Sequence, residues 1–206
     1  MVVSLSSPIQ LQPHIDSKGL VFAAMMAALG NVLSFLSMQL APLAPNIPLG
    51  PVQVSLALDL SHLATFIASL FGGPLVGGLT GLVGGLVAAF EFGFSKGNLV
   101  TGFGLPVGKA LTGVAAGYVF RVLYKEGGPP RLVASTLISY VPEATLTLFL
   151  FVYVLPSLTG LPAAVASAIA IQIVVKAFAE MIILGLVLSG LVSNLAFRSY
   201  AGSYFQ

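Results

Sequence analysis

The sequence predicts an all-α integral membrane protein with six transmembrane helices and both termini in the cytoplasm. The first observation is composition: 57% of the 206 residues are hydrophobic and 7% are charged, whereas soluble domains carry about 25% charged residues. The second is length, because Gly, Pro and charged residues divide the chain into six apolar stretches close to the about 20 residues that cross a bilayer. The third is the distribution of basic residues between the predicted loops, which sets orientation.

The predicted spans are Leu20–Ala41, Val52–Phe71, Pro74–Phe92, Leu105–Tyr124, Leu132–Leu155 and Pro162–Val192. They make residues 20–192 one membrane domain, flanked by a cytoplasmic N-terminal segment at residues 1–19 and a cytoplasmic C-terminal tail at residues 193–206. Gly72 and Gly73 alone separate the second span from the third, which predicts a tight helical hairpin. Pro74 suits the first turn of the third helix, where its missing N–H would have no partner. The N-terminal segment lacks the basic start of a secretory signal, so the first apolar run is interpreted as a retained span.

Orientation follows from the basic residues near the ends of the spans. If the N-terminus is inside, the inner face carries Lys18, Arg121, Lys125, Arg131 and Arg198, and the outer loops carry Lys96. Lys and Arg concentrate in cytoplasmic loops. The bias therefore places both termini in the cytoplasm, and we expect a multi-pass protein of a prokaryotic plasma membrane.

Several classes of function lack support in the sequence. The chain has no cysteine, which excludes disulfides and thiolate metal sites. His14 and His62 are the two histidines, too few for a histidine metal cage, so we expect no metal and no cofactor. There is no HExxH, GxSxG or phosphate-binding motif, so we expect no enzyme activity and no ATP site. Eight basic and six acidic residues give no indication of a nucleic-acid partner.

Two strips of small residues favour close helix contacts, because helices in lipid associate through tight van der Waals packing. The strips are Ala23, Ala24, Ala27 and Ala28 in the first span and Gly77, Gly81 and Gly85 in the third. The glycine strip is predicted to pack inside the bundle. Two interpretations of the alanine strip remain open: internal packing, or docking of another membrane subunit.

Ionisable residues within the predicted spans are the main functional signal, because each costs about 2.5–3.5 kcal/mol near the bilayer centre. Together with nearby polar loop residues they give the candidate substrate-binding set: Asp59, His62, Glu91, Lys96, Asn98, Lys109, Glu143, Lys176 and Glu180. The set falls in the outer half of the bundle or near its midplane, and the inner half is nearly free of charge. This distribution predicts a pocket that opens outward and is closed inward, as in a captor and not in an open pore.

The partners within this set stay open at this point. Lys176 and Glu180 are four residues apart and share a helical face, so Lys176 could pair with Glu180 or with Glu143. Asp59 and His62 could form a local hydrogen bond or ligate a cation, although one histidine and one carboxylate are weak evidence for metal. Asn98 could bind a ligand or cap a turn. The Pro-rich outer loop after the first span is expected to be extended, and the outer loops could cover a cavity or merely connect helices.

One stretch resembles a known family. The sequence LALDLSHLATFIASLFGGPLVGGLTGLVGG resembles the second and third spans of the substrate-binding S components of energy-coupling factor (ECF) transporters, which show a D-x-S segment, an fGP-x-x-G hairpin and a glycine-rich third span. The strip from Ala23 to Ala28 resembles the AxxxA surface of their first span. GLPVGKALTG, Gly104–Gly113, lies where these proteins place pocket residues. The DLS segment is similar to that of riboflavin-type members, with His62 and Ala64 standing where those members have an acid and a proline.

The resemblance implies a function. Members capture a vitamin or other small micronutrient outside the cell and release it inside as part of an ABC-type importer. The implied partners are a transmembrane coupling subunit, docked on the alanine strip, and two ATPase subunits. The residues by themselves leave two alternatives: a self-sufficient secondary transporter driven by protons through Glu143 or Glu180, and a non-transport subunit whose charges hold the bundle together.

Overall fold

The computed structural model describes residues 16–43, 46–49, 52–55, 58–124 and 128–204. His14 and Lys125 lie outside these residues, as does most of the predicted N-terminal segment. At residues 46–49 and 52–55, and at positions 198, 200, 202 and 203 of the last helix, the structure describes the backbone alone.

The described residues form a helical bundle with one small β-hairpin. The α-helices are α1 (Ser17–Leu40), α2 (Ser61–Gly84), α3 (Leu86–Phe92), α4 (Leu99–Leu123), α5 (Pro129–Phe149), α6 (Leu155–Thr159), α7 (Ala163–Ser193) and α8 (Leu195–Ser203). Short 3₁₀ helices lie at Ala41–Leu43 and Phe94–Lys96, and a π-helical turn at Leu150–Val154 joins α5 to α6. The strands are β1 (Asn46–Leu49) and β2 (Val52–Ser55).

Within the part of the chain that the structure describes, five helical stretches are long and apolar enough to cross a membrane. They are Ser17–Leu43, Ser61–Lys96, Leu99–Leu123, Pro129–Thr159 and Ala163–Ser193. The predicted all-α membrane fold is therefore confirmed at this level. The difference from six arises in the second stretch, of 36 residues, because it contains the third predicted span together with the part of the second from Ser61 to Phe71.

That second stretch is a hairpin, because the chain reverses at Gly73. Gly73 has φ 82° and ψ −171°, a conformation that glycine adopts without steric cost. A Cβ atom at Gly30 of α1 would lie 3.6 Å from both Ser61 O and Gly84 Cα. In a continuous helix those two ends of α2, 24 residues long, would be about 35 Å apart. The two arms on either side of Gly73 therefore run antiparallel, as the Gly72–Gly73–Pro74 sequence predicts.

The start of the second predicted span is wrong. Val52–Ser55 is not helical but forms β2, which pairs antiparallel with β1. The helix begins only at Ser61. The Val-Gln-Val sequence at the start of this segment favours a strand, and the prolines before it favour extended backbone, which hydropathy alone does not distinguish from the start of a span.

The start of the fourth predicted span also differs from the structure. The helix α4 begins at Leu99, six positions before the predicted Leu105, and Asn98 is its N-cap. The Asn98 side chain accepts a hydrogen bond from Thr101 N at 3.0 Å, which satisfies one of the free N–H groups of the first turn. The glycines at 102 and 104, interpreted as loop residues, lie inside the helix. Asp16 caps α1 in the same way, accepting from Gly19 N at 2.7 Å.

The glycine strip packs inside the bundle, as predicted. Along α2, Gly77 and Gly81 face Gly113 and Lys109 of α4 in antiparallel order. A Cβ at Gly77 would lie 2.7 Å from Gly113 O, and one at Gly81 would lie 2.9 Å from Ala110 N. Only glycine leaves room for backbone-to-backbone contact at these points.

The first and last described segments of the chain, at Lys18 and Tyr204, meet at the same end of the bundle as the turn at Gly73. The Tyr204 hydroxyl donates a hydrogen bond to Lys18 O at 3.4 Å, and the Phe71 and Phe197 rings lie 6.0 Å apart. The segment predicted as a C-terminal tail thus contains the helix α8, which returns to the bundle. We call this end, with the turn at Gly73 and Arg121 beside it, the Gly73 half.

The core of the Gly73 half is apolar. Phe66, Phe120, Leu132, Leu184 and Leu188 are almost completely buried there. The neighbouring hydroxyl groups are satisfied by backbone carbonyls, as where Thr136 donates to Met181 O at 2.9 Å. Close packing of this kind leaves no room for water. It forms the floor beneath the cavity described next.

Candidate functional site

A cavity of about 460 Å³ opens in the other half of the bundle. We call this the cavity half. Its walls come from the helices α1, α3, α4, α5 and α7 and from the segment that leads into α2. The volume lies within the range of about 300–1,000 Å³ that is usual for small-molecule sites. Seven of the nine candidate residues line it: Asp59, His62, Asn98, Lys109, Glu143, Lys176 and Glu180.

Lys109 is the most deeply buried charge of the cavity, with 2% of its side chain exposed. Its ammonium group donates to Asp59 Oδ2 at 3.2 Å and also to the Ser61 hydroxyl. Asp59 Oδ1 in turn accepts from Ser61 N at 3.0 Å. The segment at the start of α2 therefore wraps the lysine with a carboxylate and a hydroxyl, which compensates for its loss of hydration.

His62 and Glu143 form a second buried pair between α2 and α5. The two atoms His62 Nε2 and Glu143 Oε2 are 3.1 Å apart, and Thr112 of α4 donates to the same carboxylate oxygen at 2.6 Å. The Nδ1 atom of His62 is buried without a hydrogen-bond partner. Asp59 Oδ2 lies 3.9 Å from it, beyond hydrogen-bond length, so the local hydrogen bond is not formed. Among the described residues, no group of three or more metal-ligating side chains occurs.

Lys176 pairs with Glu180 on its own helix, and Lys176 Nζ lies 3.5 Å from Glu180 Oε1. The same Glu180 oxygen accepts from Asp59 N at 3.0 Å, which ties α7 to the start of α2. Lys176 remains 32% exposed at its side chain, whereas Glu180 is 9% exposed. Lys176 is therefore the lysine of the cavity that a ligand can contact.

The remaining candidates lie at the edge of the site. Asn98 caps α4, and it also lines the cavity, so ligand binding by its side chain stays a prediction. Glu91 and Lys96 are exposed and do not line the cavity. The Lys96 ammonium instead lies 5.3 Å from the centre of the Phe92 ring, a cation–π contact. The structure does not bring these two charges together with the others.

Several residues of the site are absent from the predicted set. Ser61 and Thr112 hold the two buried pairs, and Tyr140 of α5 places its ring edge-on to His62, with centroids 6.1 Å apart. Ser37 of α1 accepts from Leu60 N at 3.2 Å, which fixes the entry into α2. Hydroxyl groups are common in membrane helices, so Ser37 and Tyr140 have no distinctive signal in the sequence. Ser61 is the serine of the quoted D-x-S segment and could have been found from it. Thr112 could have been found from its place one turn beyond Gly108 in the quoted pocket segment.

The rest of the cavity wall is apolar. Phe92, Leu105 and Phe151 line it, and Phe151 belongs to the π-helical turn between α5 and α6. Turns of this type occur often at functional sites because they re-aim side chains. The cavity thus combines one charged face with one aromatic and aliphatic face, which suits an organic ligand with both polar and apolar parts.

Comparison with known proteins identifies the family. A profile of the family described as "ECF transporter, substrate-specific component" matches residues 18–192. The chain belongs to this family. A solved structure of the S component of a bacterial ECF transporter is similar, with 23% identity over 92% of this chain and 98% of that chain and a TM-score of 0.49. No curated protein matches.

As a substrate-specific component, the protein is a multi-pass membrane protein that works with other components of an ECF transporter and takes a small-molecule substrate. The suspected family, which rested on the hairpin and the glycine-rich span, is thereby confirmed. The cavity is the one described feature that combines the size, the burial and the ionisable groups of a substrate site.

The alanine strip of this S component divides between two faces. Ala23 and Ala27 are buried against the hairpin, with 3% and 1% exposed, and Thr80 donates to Ala23 O at 3.4 Å. Ala24 and Ala28 are exposed. In this structure Ala23 and Ala27 pack internally and cannot contact a partner, because α1 uses that face to hold the hairpin. The surface available for docking contains Ala24 and Ala28.

Proposed function

We propose that this S component captures a vitamin or similar micronutrient in the cavity and delivers it to an ATP-driven importer. The observation that carries the proposal is the cavity itself: six buried or half-buried ionisable groups surround it, and packed apolar side chains close it on the Gly73 side. A pocket open at one end and sealed at the other binds a solute without conducting it. Release on the far side then requires rearrangement within the complete transporter.

The proposed partners are a transmembrane coupling subunit and two ATPase subunits, as the family resemblance implies. The sequence offers no ATP-binding motif, so we propose that the protein is not itself an enzyme and that partners supply the energy. The exposed face of α1 with Ala24 and Ala28 is the proposed docking surface, because small residues allow a second helix to approach closely.

We further propose six membrane crossings, with both termini in the cytoplasm of a prokaryotic cell. Two observations support this placement: the antiparallel arms of α2 supply the sixth crossing, and the start of α1 and the end of α8 both lie in the Gly73 half. Lys18 and Arg121 also lie in that half, which agrees with the excess of basic residues on cytoplasmic faces. The cavity would then open to the outside.

Native mass spectrometry tests the capture function directly. The protein, purified in mild detergent from its natural membrane, is expected to retain one compound of a few hundred daltons per chain. The variant Lys109→Met, which leaves the Asp59 carboxylate at the cavity unpaired, is expected to lose it, whereas Glu91→Gln on the exposed surface keeps it. Protein that carries no compound, and that fails to co-purify with an ATPase pair, would contradict the proposal.

A further inference from the structure

The charges of the cavity do not balance. It contains three carboxylates, of Asp59, Glu143 and Glu180, and two ammonium groups, of Lys109 and Lys176. Each lysine has its own acid: Lys109 with Asp59, and Lys176 with Glu180. Among the described residues, no lysine or arginine pairs with Glu143, whose partners are His62 and Thr112. The cavity therefore carries one excess negative charge whenever His62 is neutral.

A proton on His62 is the internal way to remove this excess. The groups that face the imidazole come from every surrounding element: Asp59 before α2, Lys109 on α4, Tyr140 and Glu143 on α5, and Glu180 on α7. Three carboxylic acids and one lysine are among these groups, so a positive charge on the imidazole of His62 is favoured. His62 is 5% exposed, and its Nδ1 atom has no hydrogen-bond partner. The loss of hydration of this nitrogen is therefore not compensated within the protein.

A bound cation is the other way to remove the excess. Since an uncompensated buried charge is costly, either a proton on His62 or a positive charge on the ligand completes the site, and the two compete. Tyr140, whose ring centroid lies 6.1 Å from that of His62, lines the cavity at the same place. The remaining wall is apolar and suits the body of an organic molecule.

A phosphorylated or polycarboxylate ligand fits poorly. A phosphate group carries about −1.5 to −2 charges at neutral pH, and Lys176 is the single lysine with an exposed ammonium in this cavity. Lys109 is already committed to Asp59 and Ser61 beneath the cavity surface. An anion would thus add to the negative excess without gaining a free cationic partner.

We propose that the substrate of this S component is an organic monocation, a molecule with one positively charged nitrogen and an apolar body, and that its binding displaces a proton from His62 to water. This inference rests on the proposed capture function and specifies its substrate class. The cationic nitrogen lies against the excess carboxylate charge near Glu143, and the body lies against the aromatic wall.

Four probes of matched shape test the charge preference: benzylamine, benzyl alcohol, benzoate and benzyl phosphate. Binding to the full chain in detergent is titrated by saturation-transfer NMR, with empty micelles as the blank. Benzylamine, which stays protonated near neutral pH, is expected to bind about tenfold more tightly than the alcohol, equivalent to one charge contact of modest strength. The two anions are expected to bind more weakly than the alcohol. Equal or stronger binding of any other probe, or no binding of benzylamine, would overturn the inference.

Variants and pH separate a charge effect from a structural one. Glu143→Gln removes the excess negative charge, so the preference for benzylamine over benzyl alcohol is expected to disappear. Glu180→Gln serves the same purpose if the first variant does not fold, and Glu91→Gln is the matched surface control that retains the preference. In the unaltered protein, benzylamine affinity is expected to rise with pH as His62 loses its proton. His62→Gln is expected to abolish that slope; a preserved slope would contradict the exchange.

The mass measurement above separates failure of this inference from failure of the proposed function. A retained compound that is neutral or anionic would overturn the monocation inference and still support capture. A retained monocation would support both.

Discussion

The two halves of this bundle use buried polar groups in opposite ways. In the Gly73 half, hydroxyl groups donate to backbone carbonyls of their own or adjacent helices, and the side chains between them are apolar. In the cavity half, side chains from α2, α4, α5 and α7 pair with one another across helices that are distant in sequence. The hydroxyl groups of the first arrangement find their partners within the protein, and among the described residues the unpaired buried side-chain atoms of that half are Nε and Nη1 of Arg121. The second arrangement leaves an unbalanced carboxylate next to the unpaired Nδ1 of His62 at the wall of a cavity, which is the property expected of a binding site.

Helix spacing explains how one sequence supports both arrangements. The glycines of α2 bring the α4 backbone into direct contact on one side of the hairpin. In the cavity half, α5 and α7 instead reach the start of α2 through side chains, as where Glu143 contacts His62 and Glu180 accepts from Asp59 N. Rigidity in the Gly73 half therefore positions the charged groups of the cavity half, and the predictions below test this dependence from the largest expected effect to the smallest.

The largest effect is expected from Gly81→Val. Its Cβ would lie 2.9 Å from Ala110 N and against the Lys109 carbonyl, so two helix backbones must separate. Overpacking typically costs about 1–3 kcal/mol where side chains can move aside, and occasionally more. Here the neighbours are backbone atoms that cannot rotate away, so we expect a cost above that of the broken ion pair considered next. We expect a large loss of folded, monodisperse protein by size-exclusion chromatography. The matched control is Gly190→Val, because a Cβ there meets no atom within 4 Å; equal damage from both variants would refute the packing argument.

The next effect is expected from Lys109→Met, which keeps an unbranched side chain of similar length and removes its charge. Breaking a buried ion pair typically costs about 3–5 kcal/mol because the partner is left unpaired. The thermal unfolding temperature is expected to fall clearly, and Asp59→Asn in the same chain is expected to restore part of it. Lys176→Met, at a side chain 32% exposed, should lower stability much less. A stable Lys109→Met protein that still binds its ligand would remove Lys109 from the site.

A smaller effect is expected from Thr112→Val, which deletes a single hydroxyl. Thr112 donates to Glu143 at 2.6 Å, and a hydrogen bond to a charged group contributes about 1.5–3 kcal/mol. Ligand affinity is expected to fall about tenfold or more while the protein stays folded, as measured by titration calorimetry. Thr145→Val is the control on the same bundle, because its hydroxyl donates only to Val141 O and is exposed. Unchanged affinity in Thr112→Val would show that the carboxylate needs no such support.

The smallest effect on the isolated protein is expected from Ala24→Leu and Ala28→Leu. Both alanines are exposed, so stability and ligand binding should stay unchanged, whereas co-purification with the coupling subunit should decrease. Ala23→Leu provides the contrast, since Ala23 is buried against the hairpin and its enlargement should destabilise the protein alone. Full assembly of the Ala28→Leu variant would place the docking surface elsewhere.

Much of the fold could be predicted because its signals are local. The hairpin at Gly72–Gly73–Pro74 and the four-residue spacing of Gly77, Gly81 and Gly85 both describe backbone properties of single residues. The start of α4 was missed because Asn98 acts as a helix cap, which outweighs the glycines that follow it. The strand Val52–Ser55 was missed because a hydrophobic segment can be helix or strand until its pairing partner is known.

The candidate site likewise contains one pair of residues that the local sequence predicts and another that it does not. Lys176 and Glu180 share a helical face, and their pairing was one of two predicted from spacing. The pairing of His62 with Glu143 joins residues 81 positions apart, and nothing in the local sequence specifies it. The exposed positions of Glu91 and Lys96 likewise depend on how the end of α3 turns away from the bundle.

The sequence by itself determined that this chain belongs in a membrane, where it reverses, and which charges are too costly to bury without a function. These follow from composition and from the energetic cost of each residue in hydrocarbon, which are properties of residues taken singly. Only the tertiary structure decided which charges neutralise one another, which alanines remain free for a partner, and that Glu143 has a histidine where a lysine would have balanced it. Those depend on distances between helices, and the distances are set by close packing of the whole bundle.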